Sequence, residues 1–184
     1  MRNTNNSSAT AASASFANIP GRLTTAYLAL RLVLGADVSV RELAFDRIGE
    51  EVASGRAKAG VLIHEGQLTY AAAGLHKVLD LGVWWKDETG LPLPLGVNVA
   101  RLDLGDALAP VAAILGEAIK FGLDHREEAL SYAQSFGRGI DRETADRFVE
   151  MYVNELTCDF GEVGRRAVDE LLKRAGSDVQ AVYV

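Results

Sequence analysis

Cysteine is nearly absent from this chain. The sole thiol, Cys158, can close no internal disulfide and has no second thiol with which to build a zinc cluster. That usage predicts a reducing compartment, with the cytoplasm as the expected location. Positive charge is also short: 19 Lys and Arg face 25 Asp and Glu, for a net charge of −6, and the basic residues stand singly among acidic ones. Without a continuous positive face nothing neutralises successive phosphates, so nucleic acid is not an expected partner. No apolar run is long enough to span a membrane, because the best candidate, TTAYLALRLVLG, carries Arg31 in its middle. No membrane association is expected. The chain has no G-x-G-x-x-G, no P-loop lysine and no G-x-S-x-G, so it lacks the mechanical parts for nucleotide-cofactor or serine-hydrolase chemistry. His76 and His125 stand apart from His64 with no acidic partner at ligand spacing, and no metal site is expected.

What the chain does contain is apolar material, 48% of 184 residues, enough for one core and too short a length for two full-sized domains. Residues 1–18, MRNTNNSSATAASASFAN, are Ser, Ala, Asn and Thr with a single Arg and no acid. They bury little, lack a signal-peptide apolar core, and are expected to form a disordered leader. Residues 19–97 alternate short strand and helix patterns. A Pro-Gly turn leads into a helix from Thr24 or Thr25 to Gly35; VSVRELAFD and AKAGVLIH read as strands; RIGEEVASG and EGQLTYAAAG hold short helices. HKVLDLG reads as a further strand, and the next helix carries Trp84 and Trp85, of which only one can face a core. The alternation predicts an α/β layer with a mostly parallel sheet. Residues 98–184 follow the Pro92 and Pro94 crossing, with an apolar strand expected from Asn98 to Leu102 and helices thereafter, one of them capped by Asp141.

In an open α/β sheet, ligands bind beyond the carboxyl ends of the strands. His64 stands at such an end, where an imidazole can serve as a general base, or as a structural group bonded to a backbone carbonyl. Its neighbour Glu65 can orient that ring or cap the next helix, and capping is the expected role. The turn PGRLTTAY brings the first N–H groups of a helix, at Thr24, Thr25 and Ala26, to the same edge. Such a turn suits a carboxylate, and equally an ordinary Thr-capped helix.

The segments PGRLTTAYLALRL, GVLIHEGQLTY, KVLDLGVWWKDETGLPLPLG and MYVNELT, in this order and spacing, resemble the 1,4-dihydroxy-6-naphthoate synthases of the futalosine route to menaquinone. The resemblance runs from about Ile19 to the C-terminus. Sibling chorismate dehydratases share the fold but are less similar at HEGQLTY and LPLPLG. The resemblance implies a two-lobed α/β fold of the type II periplasmic-binding-protein kind with a substrate cleft. It implies His64 as proton acceptor in a carbon–carbon lyase reaction that takes cyclic dehypoxanthine futalosine to 1,4-dihydroxy-6-naphthoate, with no metal or organic cofactor. It also implies that Thr24, Thr25 and Ala26 bind a small-molecule substrate bearing a carboxylate. Family members open with a first lobe containing a Ser-Pro-Cys-Pro-Asn-like stretch, and nothing similar precedes Pro20. The first lobe is therefore expected to be incomplete and the chain's own activity impaired. A non-catalytic carboxylate-binding module is the alternative on the same fold.

Overall fold

Asn18 and Ile19 are neighbours in a strand, so their side chains face opposite sides of the sheet, yet both are fully buried. The structure, a computed structural model, describes residues 16–136 and 140–183. Within it β1 (Ala17–Ile19) is the middle strand of a parallel three-stranded sheet, flanked by β2 (Val40–Glu42) and β3 (Ala59–Gly60) in the order β2-β1-β3. Helices cover both faces, which is what buries a parallel sheet's central strand on two sides. On one face α1 (Thr25–Leu34) sets Tyr27 and Leu30 against Ile19, with Ala17, Val38, Val40 and Val61 around them. On the other face, α2 (Ile48–Ala53) lies over Asn18, Arg41 and Gly60, which are aligned across the three strands. Gly60 is required there, because a Cβ would stand 2.3 Å from the buried Ile48 side chain.

The polar residues under α2 form one cluster, although among the described residues the buried Asn18 Nδ2 meets no partner. Arg41 donates to Asn18 Oδ1 at 3.2 Å and to Glu51 at 3.0 Å, and Arg56 reaches the second Glu51 oxygen at 2.9 Å. The Arg56 hydrogen bond, joined by Arg41, holds the Glu51 carboxyl below its ordinary range despite opposition from burial. These contacts correct the expected leader boundary. Ala17 and Asn18 belong to the sheet, Ala17 N–H donating to Ser39 at 3.1 Å, while residues 1–15 lie outside the described ones.

After β3 come α3 (Gly66–Thr69), a 3-10 turn over Tyr70–Ala73 and α4 (Leu81–Thr89). Of the two tryptophans, Trp85 is the fully buried one, its Nε1–H donating to the Pro92 carbonyl at 3.0 Å; Trp84 is half-buried. Two expected strands are not formed. HKVLDLG is irregular up to Asp80, the N-cap of α4; residues 98–101 pair with no strand, and Leu102 already opens a 3-10 turn. Both runs carry strand-like apolar residues, but a strand exists only where a ladder partner is present, and among the described residues the sheet ends at β2 and β3. Beyond a 3-10 turn at Leu102–Ala107 the chain is helical, as its periodicity predicts: α5 (Leu108–Asp124), α6 (Arg126–Gln134), α7 (Arg142–Tyr152), α8 (Glu155–Cys158) and α9 (Gly161–Arg174). Asp141 caps α7 through Thr144 N–H at 2.9 Å, and that bond with the Thr144 hydroxyl holds the carboxyl below its ordinary range. No described helix is long and apolar enough to cross a membrane.

Candidate active site

Because the three strands are parallel, their carboxyl ends share one edge, and every expected site residue follows one of them. After β1 the chain turns through Pro20 and Gly21 into α1. Thr24 is the N-cap in extended conformation (φ −108°, ψ 147°), and its Oγ1 accepts from Tyr27 N–H at 3.2 Å while donating to the Gly21 carbonyl at 2.8 Å. The N–H groups of Thr24, Thr25 and Ala26 have no carbonyl one turn back to meet. They stay available at the positive end of a ten-residue helix. The Thr25 hydroxyl donates to the Leu95 carbonyl at 2.7 Å and thereby ties the LPLPLG crossing to this turn.

His64 follows β3. Its ring is held by two backbone groups, Nε2 by the Phe45 carbonyl at 3.0 Å and Nδ1 by Gly66 N–H at 2.9 Å. A carbonyl can only accept and a peptide N–H can only donate, so these partners select the neutral imidazole with its proton on Nε2 and its lone pair on Nδ1. Phe45 adds a tilted ring contact at 5.6 Å. Gly66 allows the fold-back, since a Cβ there would lie 2.6 Å from His64 Cε1. Glu65 departs from its expected role. It makes no side-chain cap to α3, and its Oε2 lies instead 3.7 Å from His64 Nδ1. That is the position from which a carboxylate can pair with the ring once Nδ1 carries a proton.

Three contacts at this edge could not be read from residue types. Tyr152, the last residue of α7, donates its hydroxyl to the Ile63 carbonyl at 3.1 Å, and Gln67 Nε2 donates to the same hydroxyl at 2.6 Å. The Phe45 carbonyl is the third. Tyr152 and Gln67 do lie within MYVNELT and HEGQLTY, so the only sequence signal was membership of those segments. His76 and His125 are both exposed, and His125 has its Nδ1 at 2.9 Å from the Phe121 carbonyl. Among the described residues, no group of three or more His, Cys, Asp or Glu could hold a metal ion. Two open cavities, of about 590 Å³ beside Asp169, Lys173 and Ser177 and about 220 Å³ beside Phe121, His125 and Tyr132, do not include His64 or the Thr24–Ala26 turn.

A Menaquinone biosynthesis family model matches residues 7–177. A 1,4-dihydroxy-6-naphthoate synthase of Thermus thermophilus is 44% identical over 161 residues, covering 85% of this chain and 58% of that protein. The enzyme of the same name from Streptomyces coelicolor is 37% identical over 166 residues, covering 87% and 59%. A crystal structure of an Archaeoglobus fulgidus protein superposes with a TM-score of 0.82 at 43% identity, covering 87% of this chain and 61% of that one. The chain thus spans a little under three fifths of the length of the curated relatives it matches. With a family model over most of its length and an α/β fold similar to that crystal structure, the chain belongs to the menaquinone biosynthesis family.

Proposed function

We propose that this chain carries the base and the carboxylate-binding turn of a 1,4-dihydroxy-6-naphthoate synthase, on a two-lobed fold of the type II periplasmic-binding-protein kind. The substrate is cyclic dehypoxanthine futalosine and the reaction is a carbon–carbon lyase step without metal or organic cofactor. The observation that carries the reading is the match to two synthases over most of this chain. The geometry supports it, because the neutral ring of His64 presents a lone pair on Nδ1 at the same sheet edge as the N-terminus of α1. The Thr25 and Ala26 N–H groups take the substrate carboxylate, with the helix dipole assisting. His64 Nδ1 exchanges its bond to Gly66 N–H for a substrate proton, and Glu65 pairs with the resulting imidazolium. A structural role is the competing one for His64, since both ring nitrogens are satisfied by backbone.

The test is an assay of dihydroxynaphthoate formation by the chain alone and by the chain joined to the part of the Thermus thermophilus relative that it does not match. Turnover is expected from the joined protein and little or none from the chain alone. In the joined protein, His64→Asn lowers the rate by about 10²–10⁴, the range for a positioned general base, with little effect on ligand binding. A His64→Asn variant that keeps its rate and pH profile would make the ring structural and move the base elsewhere.

A further inference from the structure

His64 lies beyond the last ladder bond of its strand. The pairing of β3 with β1 closes at Val61 N–H, which donates to the Asn18 carbonyl at 2.9 Å. From there to α3 the backbone makes no further strand pairing among the described residues. A base must nevertheless be held within a fraction of an ångström of its working position. The side chain supplies part of that restraint through Phe45 and Gly66. The main chain is restrained by Tyr152, whose hydroxyl donates to the Ile63 carbonyl at 3.1 Å from a helix 89 residues further along the chain.

The Ile63 carbonyl and the His64 N–H belong to one planar peptide. Fixing the carbonyl fixes that plane, and with it the axis about which His64 turns. The phenol is itself locked, because Gln67 donates to its oxygen at 2.6 Å and leaves its one proton for Ile63. Donor into acceptor, each bond polarises the next. Gln67 lies in α3, immediately after the loop that bears His64, so the bracket closes on both sides of the histidine.

We propose that Tyr152 is the positioning residue for His64, acting through the Ile63–His64 peptide, with Gln67 fixing the direction of its hydroxyl. The inference rests on the reading of His64 as the base, and its test separates the two. Tyr152→Phe keeps the ring and its contact with Phe148 at 4.8 Å but removes the hydroxyl. Gln67→Met keeps the bulk and removes only the lock. In the full chain, the exchange rate of the His64 Nε2 proton with water, followed by NMR, is expected to rise about tenfold in Tyr152→Phe and by less in Gln67→Met, at unchanged thermal midpoint. In the joined protein, Tyr152→Phe is expected to lower kcat by about 10–10² with KM little changed, as for a base displaced from its substrate. An unchanged exchange rate in Tyr152→Phe overturns the proposal whatever the activity. A changed exchange rate with full kcat also overturns it where His64→Asn is inactive. Where His64→Asn stays active it is the reading of the base that fails, and the exchange measurement alone decides whether Tyr152 positions the ring.

Discussion

Gly66 makes a sharper probe of the site than most residues that touch it. It sits in the first turn of α3, where alanine would ordinarily be preferred by about 1 kcal/mol, yet the added Cβ would stand 2.6 Å from His64 Cε1 and 3.1 Å from Nδ1. The ring is the freer of the two, so it is the ring that moves. Gly66→Ala is therefore expected to leave helix content and thermal midpoint intact while breaking the Nε2–Phe45 bond and lowering turnover of the joined protein by about 10–10². An intact imidazole hydrogen bond by NMR, with full rate, would show that the ring has slack. This level of the site was only half legible in sequence. The residue types His64, Thr24 and Thr25 were readable because histidine after an apolar run and threonine before a helix have few roles. The partners that select the tautomer are backbone atoms of Phe45 and Gly66, and backbone atoms carry no residue signature. Glu65 was misassigned for a related reason, since an acid ahead of a helix can cap it or turn aside, and only the fold-back of His64 decides.

At the scale of elements, the N-terminus of α1 separates two donors that a sequence cannot. Thr25 is the first helical residue, where proline is tolerated, and Thr24 before it is already extended, the conformation that a following proline demands. Thr25→Pro thus removes one N–H with little disturbance to the helix, and should weaken binding of a naphthoate or benzoate ligand by about 1–3 kcal/mol. Thr25→Val removes only the hydroxyl bond to Leu95 and should retain most of that binding. Calorimetry on the joined protein distinguishes them, and equal losses would place the carboxylate on the hydroxyl instead. The cap of α4 offers a pH test. Burial pushes the Asp80 carboxyl up, but the Val83 N–H, the Lys77 ammonium and the Gly82 N–H outweigh it and hold the group below its ordinary range. A lowered carboxyl stabilises the fold above the ordinary carboxylate range and loses that contribution as pH falls through its folded-state value. Asp80→Ala is expected to lower stability by about 1 kcal/mol at neutral pH, with the difference shrinking in acid. A constant difference from neutral to strongly acidic pH would mean that the charge plays no part. The caps at Thr24 and Asp141 and the stop at Gly35 were legible because they are local, whereas the Asp80 cap was hidden in a run that reads as a strand. The strands expected in HKVLDLG and at Asn98–Leu102 were not, because pairing depends on what lies alongside.

Among the described residues the longest helix, α5, lacks a core. None of the side chains of α5 is buried, and Val111, Ile114, Leu115 and Phe121 are exposed, with Leu102 and Leu104 exposed just ahead of them. Seventeen residues of such composition gain little from intrinsic propensity alone, because most helical stability in proteins comes from packing an apolar face. The relatives are longer than the matched region by roughly two fifths of their length. An apolar helix on the shorter chain and an unmatched body in the longer ones are naturally explained together if that body packs on α5. The expectation is that α5 amides exchange rapidly in the chain alone and become protected when it is joined to the unmatched part of the Thermus thermophilus relative. Ile114→Glu gives the energetic counterpart. In the chain alone it should leave the thermal midpoint unchanged, because an exposed side chain gives up nothing by becoming charged. In the joined protein it should cost about 1–3 kcal/mol, the penalty for placing an unpaired polar group in an apolar contact. Equal effects in the two settings would remove α5 from the contact and leave its apolar face to some other covering.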